Sequence, residues 1–280
     1  MRFVRFGDSG QEKPGLLDAE GRLRDLSGRI ADLADETLDP DTLTAISADG
    51  GAGLPLVEGT PRLGPPIARI GHFIGVGLNY ADHAEEAGMA IPAEPILFTK
   101  APGSLAGPED PLILPEGALK ADWEVELAVI IGRRGYRVGV EEAPSLIAGY
   151  AICNDISERA WQIETTGTWI KGKGAPGFGP LGPWLVTPDA IPDPQNLAMK
   201  LDLNGEARQR GSSATMIFGV AECISWASRY FELMPGDVIT TGTPPGVGMG
   251  MKPQRFLKDG DVMELEIDGL GRQRTRVSAP

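Results

Sequence analysis

At 280 residues with 41% hydrophobic side chains, the chain is long enough to bury a substantial core. Its formal net charge of −13 opposes contact with a polyanion, and no stretch reaches the roughly 18 to 20 uninterrupted apolar residues of a membrane span, so neither nucleic acid nor a bilayer is an expected partner. An anionic small molecule stays open, because a metal or a few local cations reverse the sign inside one pocket.

The N-terminus, Met1-Arg-Phe-Val-Arg-Phe6, turns polar before a signal-peptide core could form, and Cys153 and Cys223 are neither a disulfide scaffold nor a zinc or redox motif. A cytoplasmic protein with two cysteines acting as small core hydrophobes is expected. The first segment, through Phe3, Phe6, Pro14 to Leu17, a turn at Asp18-Ala-Glu-Gly21, and Leu23 to Leu26, predicts a hairpin. Weak helical signals follow, and then Gly50-Gly-Ala-Gly53 and a proline-rich run from Gly59 to Pro66 break regular structure. A boundary near residue 68 is expected, dividing a small β-rich N-terminal domain (1–68) from a larger one (69–280).

Beyond it, short apolar runs begin at Phe73, Ile96, Pro111, Glu124, Leu146, Leu185, Met199, Val238 and Val262, separated by glycine and proline. Many short strands with turn chemistry between them predict a mostly β, α+β fold closed as a mixed roll or barrel. Helices are expected in three places: after Tyr80, around Glu141 to Leu146, and from Ala221 to Tyr230.

The run Asp122-Trp-Glu-Val-Glu-Leu-Ala-Val-Ile-Ile131 sets two carboxylates into an otherwise apolar strand. Side chains alternate along a strand, so Trp123, Val125, Leu127, Val129 and Ile131 share one face, and Glu124 and Glu126 share the other with Ala128 and Ile130. Two like charges roughly 7 Å apart repel and lose solvation, at several kcal/mol per ion unless something compensates. A solvated edge strand would relieve them, and so would a divalent cation. A second apolar strand ends at Asn154-Asp155, which supplies a third carboxylate or merely caps a turn. Three oxygen donors without clustered Cys or His favour a hard ion, Mg²⁺ first and Mn²⁺ or Ca²⁺ as alternatives.

Of the two histidines, His72 precedes Phe73 and is expected to be structural, whereas His83 can pair with Glu86 one helical turn on. A carboxylate that holds an imidazole is what a general base requires, although a surface His–Glu pair has the same spacing. Arg159 and Gln162 lie one turn apart just past Asp155, Trp169-Ile-Lys171-Gly-Lys173-Gly places two cations in a glycine-rich loop, and Thr243 follows a strand in a Gly/Pro-rich turn. No phosphate-binding or dinucleotide fingerprint occurs.

Together these segments resemble the fumarylacetoacetate hydrolase family over about residues 70 to 270, through Gly77-Leu-Asn-Tyr-Ala-Asp-His83, Pro95-Ile-Leu-Phe-Thr-Lys100, Asp122-Trp-Glu-Val-Glu126, Gly149 to Asp155, Trp169 to Lys173, Gly179-Pro-Leu-Gly-Pro-Trp184, Asn204-Gly-Glu206, and Pro235 to Gly248. The resemblance implies a mixed β-roll with a Mg²⁺ or Mn²⁺ site, a homodimer, and a small 2-oxo acid substrate. Carried over by position, it implies Glu124, Glu126 and Asp155 as metal ligands, and His83 with Glu86 as a water-activating pair on a mobile lid. It further implies Lys173 as a catalytic-site lysine and Arg159, Gln162 and Thr243 as substrate contacts.

Founding members carry a further metal-ligand Asp near the lid histidine, where this chain has Leu78-Asn79-Tyr80, so the chain resembles the shorter three-carboxylate branch. That branch holds acylpyruvate hydrolases, oxaloacetate decarboxylases, dienoate isomerases and hydrolases of 2,4-diketo-3-deoxy sugar acids. The Trp169 to Trp184 and Gly246 to Pro253 segments are most similar to the sugar-acid group, including hydrolases of the rhamnonate and fuconate derivatives. Carbon–carbon hydrolysis is the expected reaction. Decarboxylation, isomerisation, or non-catalytic binding of a sugar acid are the alternatives.

Overall fold

The computed structural model describes residues 1–86 and 88–280. Strands occupy Arg2–Phe6 (β1), Lys13–Leu17 (β2), Leu23–Asp25 (β3), Phe73–Gly77 (β4), Ile96–Lys100 (β5), Val125–Ile131 (β6) and Ile147–Asn154 (β7). They continue with Gly179–Val186 (β8), Ala198–Leu203 (β9), Glu206–Ser212 (β10), Val238–Thr240 (β11), Val262–Ile267 (β12) and Gly271–Ser278 (β13). Helices are short and few: Pro40–Ile46 (α1), Ala81–Glu86 (α2), Arg159–Ile163 (α3), Ile170–Lys173 (α4) and Val220–Ser228 (α5). The expected helix at Glu141 to Leu146 is one 3₁₀ turn over Ala143–Leu146, with Pro144 in its first turn. The expected glycine-rich loop carrying the lysines is instead α4.

The large sheet runs β3-β2-β1-β8-β7-β6-β11-β4-β5, and the smaller one contains β10-β9-β12-β13. Both hydrogen-bonded paths have free ends, so this strand-rich α+β fold is built from open sheets. The N-terminal meander is part of the large sheet, because Arg2 and Phe3 of β1 pair with Val186 and Leu185 of β8.

β6 is central, flanked by β7 and β11, and its two faces enter different cores. Val125, Leu127, Val129 and Ile131 pack with Leu201, Leu265 and Ile224 of the smaller sheet and α5. Ala128 and Ile130 pack with Phe3, Leu16, Leu38 and Leu43 of the N-terminal segment. A strand covered on both faces has no solvated side on which to leave a carboxylate, which excludes the edge-strand alternative for Glu126.

Cys153 and Cys223 are fully buried, and burial pushes both thiols up, Cys223 to about 12. Neither should react with Ellman's reagent at about pH 8 in the folded protein, and both should react once guanidinium unfolds it. Native reaction at the rate of free cysteine would contradict this packing.

Candidate functional site

The N-terminal end of β6 meets the C-terminal ends of β7, β11 and β4 at one edge of the large sheet. Glu124 immediately precedes β6, Glu126 is its second residue, and Asp155 directly follows β7. The backbone joins them: the Asp155 N–H donates to the Glu124 carbonyl at 2.9 Å, and the Glu124 N–H donates to the Asn154 side chain at 3.1 Å. One carboxylate oxygen from each of Glu124, Glu126 and Asp155 lies within 4.8 Å of the other two, with all three residues buried.

Octahedral Mg²⁺ with Mg–O of about 2.1 Å separates its oxygens by about 3 to 4.2 Å, a span that the trio's 4.8 Å approaches. The donor set is all oxygen, which suits Mg²⁺ or Mn²⁺ and not zinc. Asn79 is not a fourth ligand. Its amide donates to the Phe218 and Thr241 carbonyls at 3.0 and 2.9 Å and accepts from the Phe218 N–H at 2.9 Å.

Buried cations surround the trio. Lys173 Nζ donates to Glu124 at 2.8 Å and to Asp155 at 2.5 Å, and Arg159 lies 2.6 Å from Glu124. Two further residues, not expected from sequence, take part. Lys100, fully buried at the end of β5, donates to Asp155 at 2.6 Å. Asp122, also fully buried, accepts from Arg159 Nε at 2.8 Å and from the Gly248 and Met249 N–H groups at 2.6 and 3.0 Å. A lysine closing the strand Ile-Leu-Phe-Thr-Lys100 was the available signal for the first, and the acidic start of the Asp122 run for the second.

The charges do not balance. Asp122, Glu124, Glu126 and Asp155 outnumber Lys100, Arg159 and Lys173. Burial works to raise the Glu124 carboxyl, but Arg159 and Lys173 outweigh it and hold Glu124 well below the usual carboxylate range. Among the described residues, no cation pairs directly with Glu126. Burial, then repulsion from Asp155 and Glu124, push it well above 4.5, although the Gly242 N–H donates to it at 3.0 Å.

Between the ordinary carboxylate range and this raised value, the metal-free folded chain therefore holds a proton on Glu126 that the unfolded chain releases. Its contribution to stability is present below pH 4.5 and is lost as pH rises toward the raised folded value. A dication needs the carboxylate, so Mn²⁺ affinity should rise with pH above the ordinary carboxylate range, with proton release on binding. Calorimetry in buffers of different ionisation enthalpy reads both. Affinity independent of pH, with no proton released, would contradict the assignment of Glu126.

Above the trio lies a cavity of about 620 Å³, lined by His83, Glu86, Glu124, Glu126, Arg159, Gln162, Lys173 and Thr243. Asp155 lies behind this lining, with none of its surface exposed. His83 Nδ1 and Glu86 Oε2 are 3.0 Å apart on α2, and the Glu86 carboxylate also accepts the Gly246 N–H at 3.1 Å. Glu86 thus ties the imidazole and the 240–250 loop together, and among the described residues Nε2 is left without a partner.

Gln162 accepts from Arg159 at 3.1 Å and keeps its amide N–H donors. Thr243 differs from expectation, because its hydroxyl donates to the Val125 carbonyl at 2.9 Å and accepts from Gln209 at 2.8 Å, so it offers a substrate no free donor. His72 is structural as expected: its ring nitrogen and backbone N–H bond the buried Asp237 at 2.9 and 2.6 Å, away from the cavity.

Known proteins carry the same architecture. The model of the fumarylacetoacetate (FAA) hydrolase C-terminal family matches residues 72–278. A Burkholderia ambifaria protein named "Putative hydrolase" is 54% identical over 274 residues, spanning 98% of this chain and 97% of its own length. A fumarylacetoacetate hydrolase of Exiguobacterium antarcticum superimposes with a TM-score of 0.89 at 37% identity, covering 100% of both chains. A 2-hydroxyhepta-2,4-diene-1,7-dioate isomerase of Mycobacterium marinum gives 0.76 at 30% identity, over 100% of this chain and 98% of that one. A maleylpyruvate hydrolase of Sphingobium, solved with manganese(II) and pyruvate, gives 0.82 at 28% identity, over 100% and 99%. A family match over well more than half of the residues, with relatives alike from end to end, makes this chain a member of the fumarylacetoacetate hydrolase family.

Proposed function

We propose that the protein is a divalent-metal-dependent hydrolase that cleaves a carbon–carbon bond in a 2,4-diketo acid, releasing pyruvate and a carboxylic acid. The observation that carries this reading is the His83–Glu86 pair lining the same cavity as the buried carboxylates, since a held imidazole with a free Nε2 can activate water. Mg²⁺ or Mn²⁺ held by Glu124, Glu126 and Asp155 would supply positive charge for the 1-carboxylate and 2-oxo oxygen of the substrate.

His83 Nε2 takes a proton from water as that water attacks the 4-carbonyl, and Glu86 steadies the imidazolium that forms. The C3–C4 bond then breaks, and its electron pair leaves with the three-carbon fragment as pyruvate enolate. Lys173 has three N–H donors and spends two on Glu124 and Asp155, so one remains for the oxygen on which this charge develops. The Sphingobium neighbour, with manganese and pyruvate bound, supports the chemistry.

Simple acylpyruvates and 2,4-diketo-3-deoxy sugar acids are both candidate substrates within this class. Acetylpyruvate incubated with Mn²⁺ in ¹⁸O-labelled water should yield pyruvate and singly labelled acetate, and recovery of unlabelled products or none would defeat hydrolysis. Decarboxylation or isomerisation is the second reading. It is favoured by likeness to the Mycobacterium marinum isomerase, and by a Lys173 placement that serves an enolate whether or not water attacks. Release of CO₂ from oxaloacetate, or a dienol ultraviolet signal without pyruvate, would favour it. A homodimer is proposed as the assembly on family kinship, with sedimentation velocity as its test.

A further inference from the structure

We infer that the substrate arm beyond the 2,4-diketo head is apolar, an alkyl or aryl acyl group and not a polyol; this rests on the 2-oxo acid reading above. The cavity wall that starts at Lys173 is built from aromatic side chains seated on bare backbone. Gly75 and Gly77 share one face of β4, and Phe98 and Ile96 of β5 lie directly opposite them. A Cβ on Gly75 would fall 2.1 Å from the Phe98 ring, and one on Gly77 2.5 Å from the Trp169 ring. The strand thus gives up two side chains so that two rings can lie against it. Their centroids are 5.2 Å apart, and Lys173 Nζ stands 4.8 Å from the Phe98 centroid, so the wall begins beside the reacting group.

Large apolar surface is left uncovered along this wall. Phe98 and Trp169 are only half-buried, Ile96 is 37% exposed and Ile163 is 47% exposed. All four line the cavity. Apolar surface facing a cavity gains when a ligand of matching polarity displaces its water.

Donors for a hydroxylated arm are scarce. Arg159 is paired with Asp122 and Glu124, the one N–H that Lys173 keeps is directed at the reacting oxygen, and the Thr243 hydroxyl is committed to Val125. Among the other polar side chains lining the cavity, Gln162 keeps its amide donors and Lys252 stands exposed. A chain of several hydroxyls would lose more hydrogen bonds to water than it could replace here.

The test measures kcat/KM with Mn²⁺ for straight-chain acylpyruvates from acetyl to hexanoyl, for benzoylpyruvate, for maleylpyruvate and for 2,4-diketo-3-deoxy-rhamnonate. Each added methylene should raise kcat/KM about threefold to fourfold, chiefly through KM. Trp169→Ala should flatten the series to less than about twofold per methylene, and Ile163→Asn on the exposed end of α3 gives the same readout without disturbing a packed ring. A flat series in the parent enzyme, or a preference for maleylpyruvate or the sugar acid over hexanoylpyruvate, overturns the inference while acetylpyruvate turnover keeps the hydrolase reading. If no member of the panel is turned over, that reading falls and takes the inference with it.

Discussion

Alanine in place of His83 will lower kcat on acetylpyruvate by about 10²- to 10⁴-fold while leaving Mn²⁺ affinity within twofold. The split follows from placement. The imidazole lies on α2 against Glu86, whereas the carboxylates that would hold the ion come from the ends of β6 and β7. Removing His83 deletes the proton acceptor and no ligand oxygen. Steady-state kinetics together with Mn²⁺ titration by electron paramagnetic resonance checks both halves. A variant that hydrolyses at the parent rate shows that His83 is not the base, and one that also loses the metal shows that α2 shapes the ion site.

The second large effect is on stability. Asp155→Ala will lower the melting temperature of the metal-free protein by on the order of 10 °C, because it strips the counter-charge from one buried lysine and half of it from another. Lys100 pairs with Asp155 alone among the described carboxylates, and both side chains have no exposed surface. Lys173 then keeps Glu124 as its one hydrogen-bonded carboxylate among the described residues. Breaking a buried pair by removing one partner costs about 3 to 5 kcal/mol, since the surviving charge stays desolvated. Adding Lys100→Met to Asp155→Ala should restore part of the loss, as an apolar side chain of similar length carries no charge to strand. Calorimetric melting checks the pair of variants. A shift of less than about 2 °C for Asp155→Ala would mean that Lys100 reaches water or another anion.

What could be read from sequence was what short-range periodicity controls. Period-two alternation along Trp123 to Ile131 placed the two glutamates on one side, and the two separate cores against β6 bear that alternation out. The spacing of three between His83 and Glu86 is likewise a local property of a helix turn, and the ring and carboxylate meet at 3.0 Å. The misses are contacts made across long sequence separations. Lys100 meets Asp155 from 55 residues away, and nothing in either segment alone announces the other. The Arg2 to Val186 pairing that threads the N-terminal meander into the large sheet is of the same kind.

Glycines misled in one place. Gly172 and Gly174 flank Lys173 and suggest a loop, yet packing of α4 against α3 and the buried bonds of Lys173 hold that stretch in a helical turn. Thr243 shows a different limit. Its position beside the cavity was legible, but the direction of its hydroxyl depended on the Val125 carbonyl and on Gln209, set by strand pairings that local pattern does not encode.

The claim on which the account turns is that Glu124, Glu126 and Asp155 share one dication. Anomalous diffraction at the manganese edge from crystals soaked in Mn²⁺ tests it directly. A single strong peak per chain is expected, within coordination distance of all three carboxylates and facing the cavity lined by His83. A peak elsewhere, or none at Mn²⁺ concentrations that support activity, would contradict it.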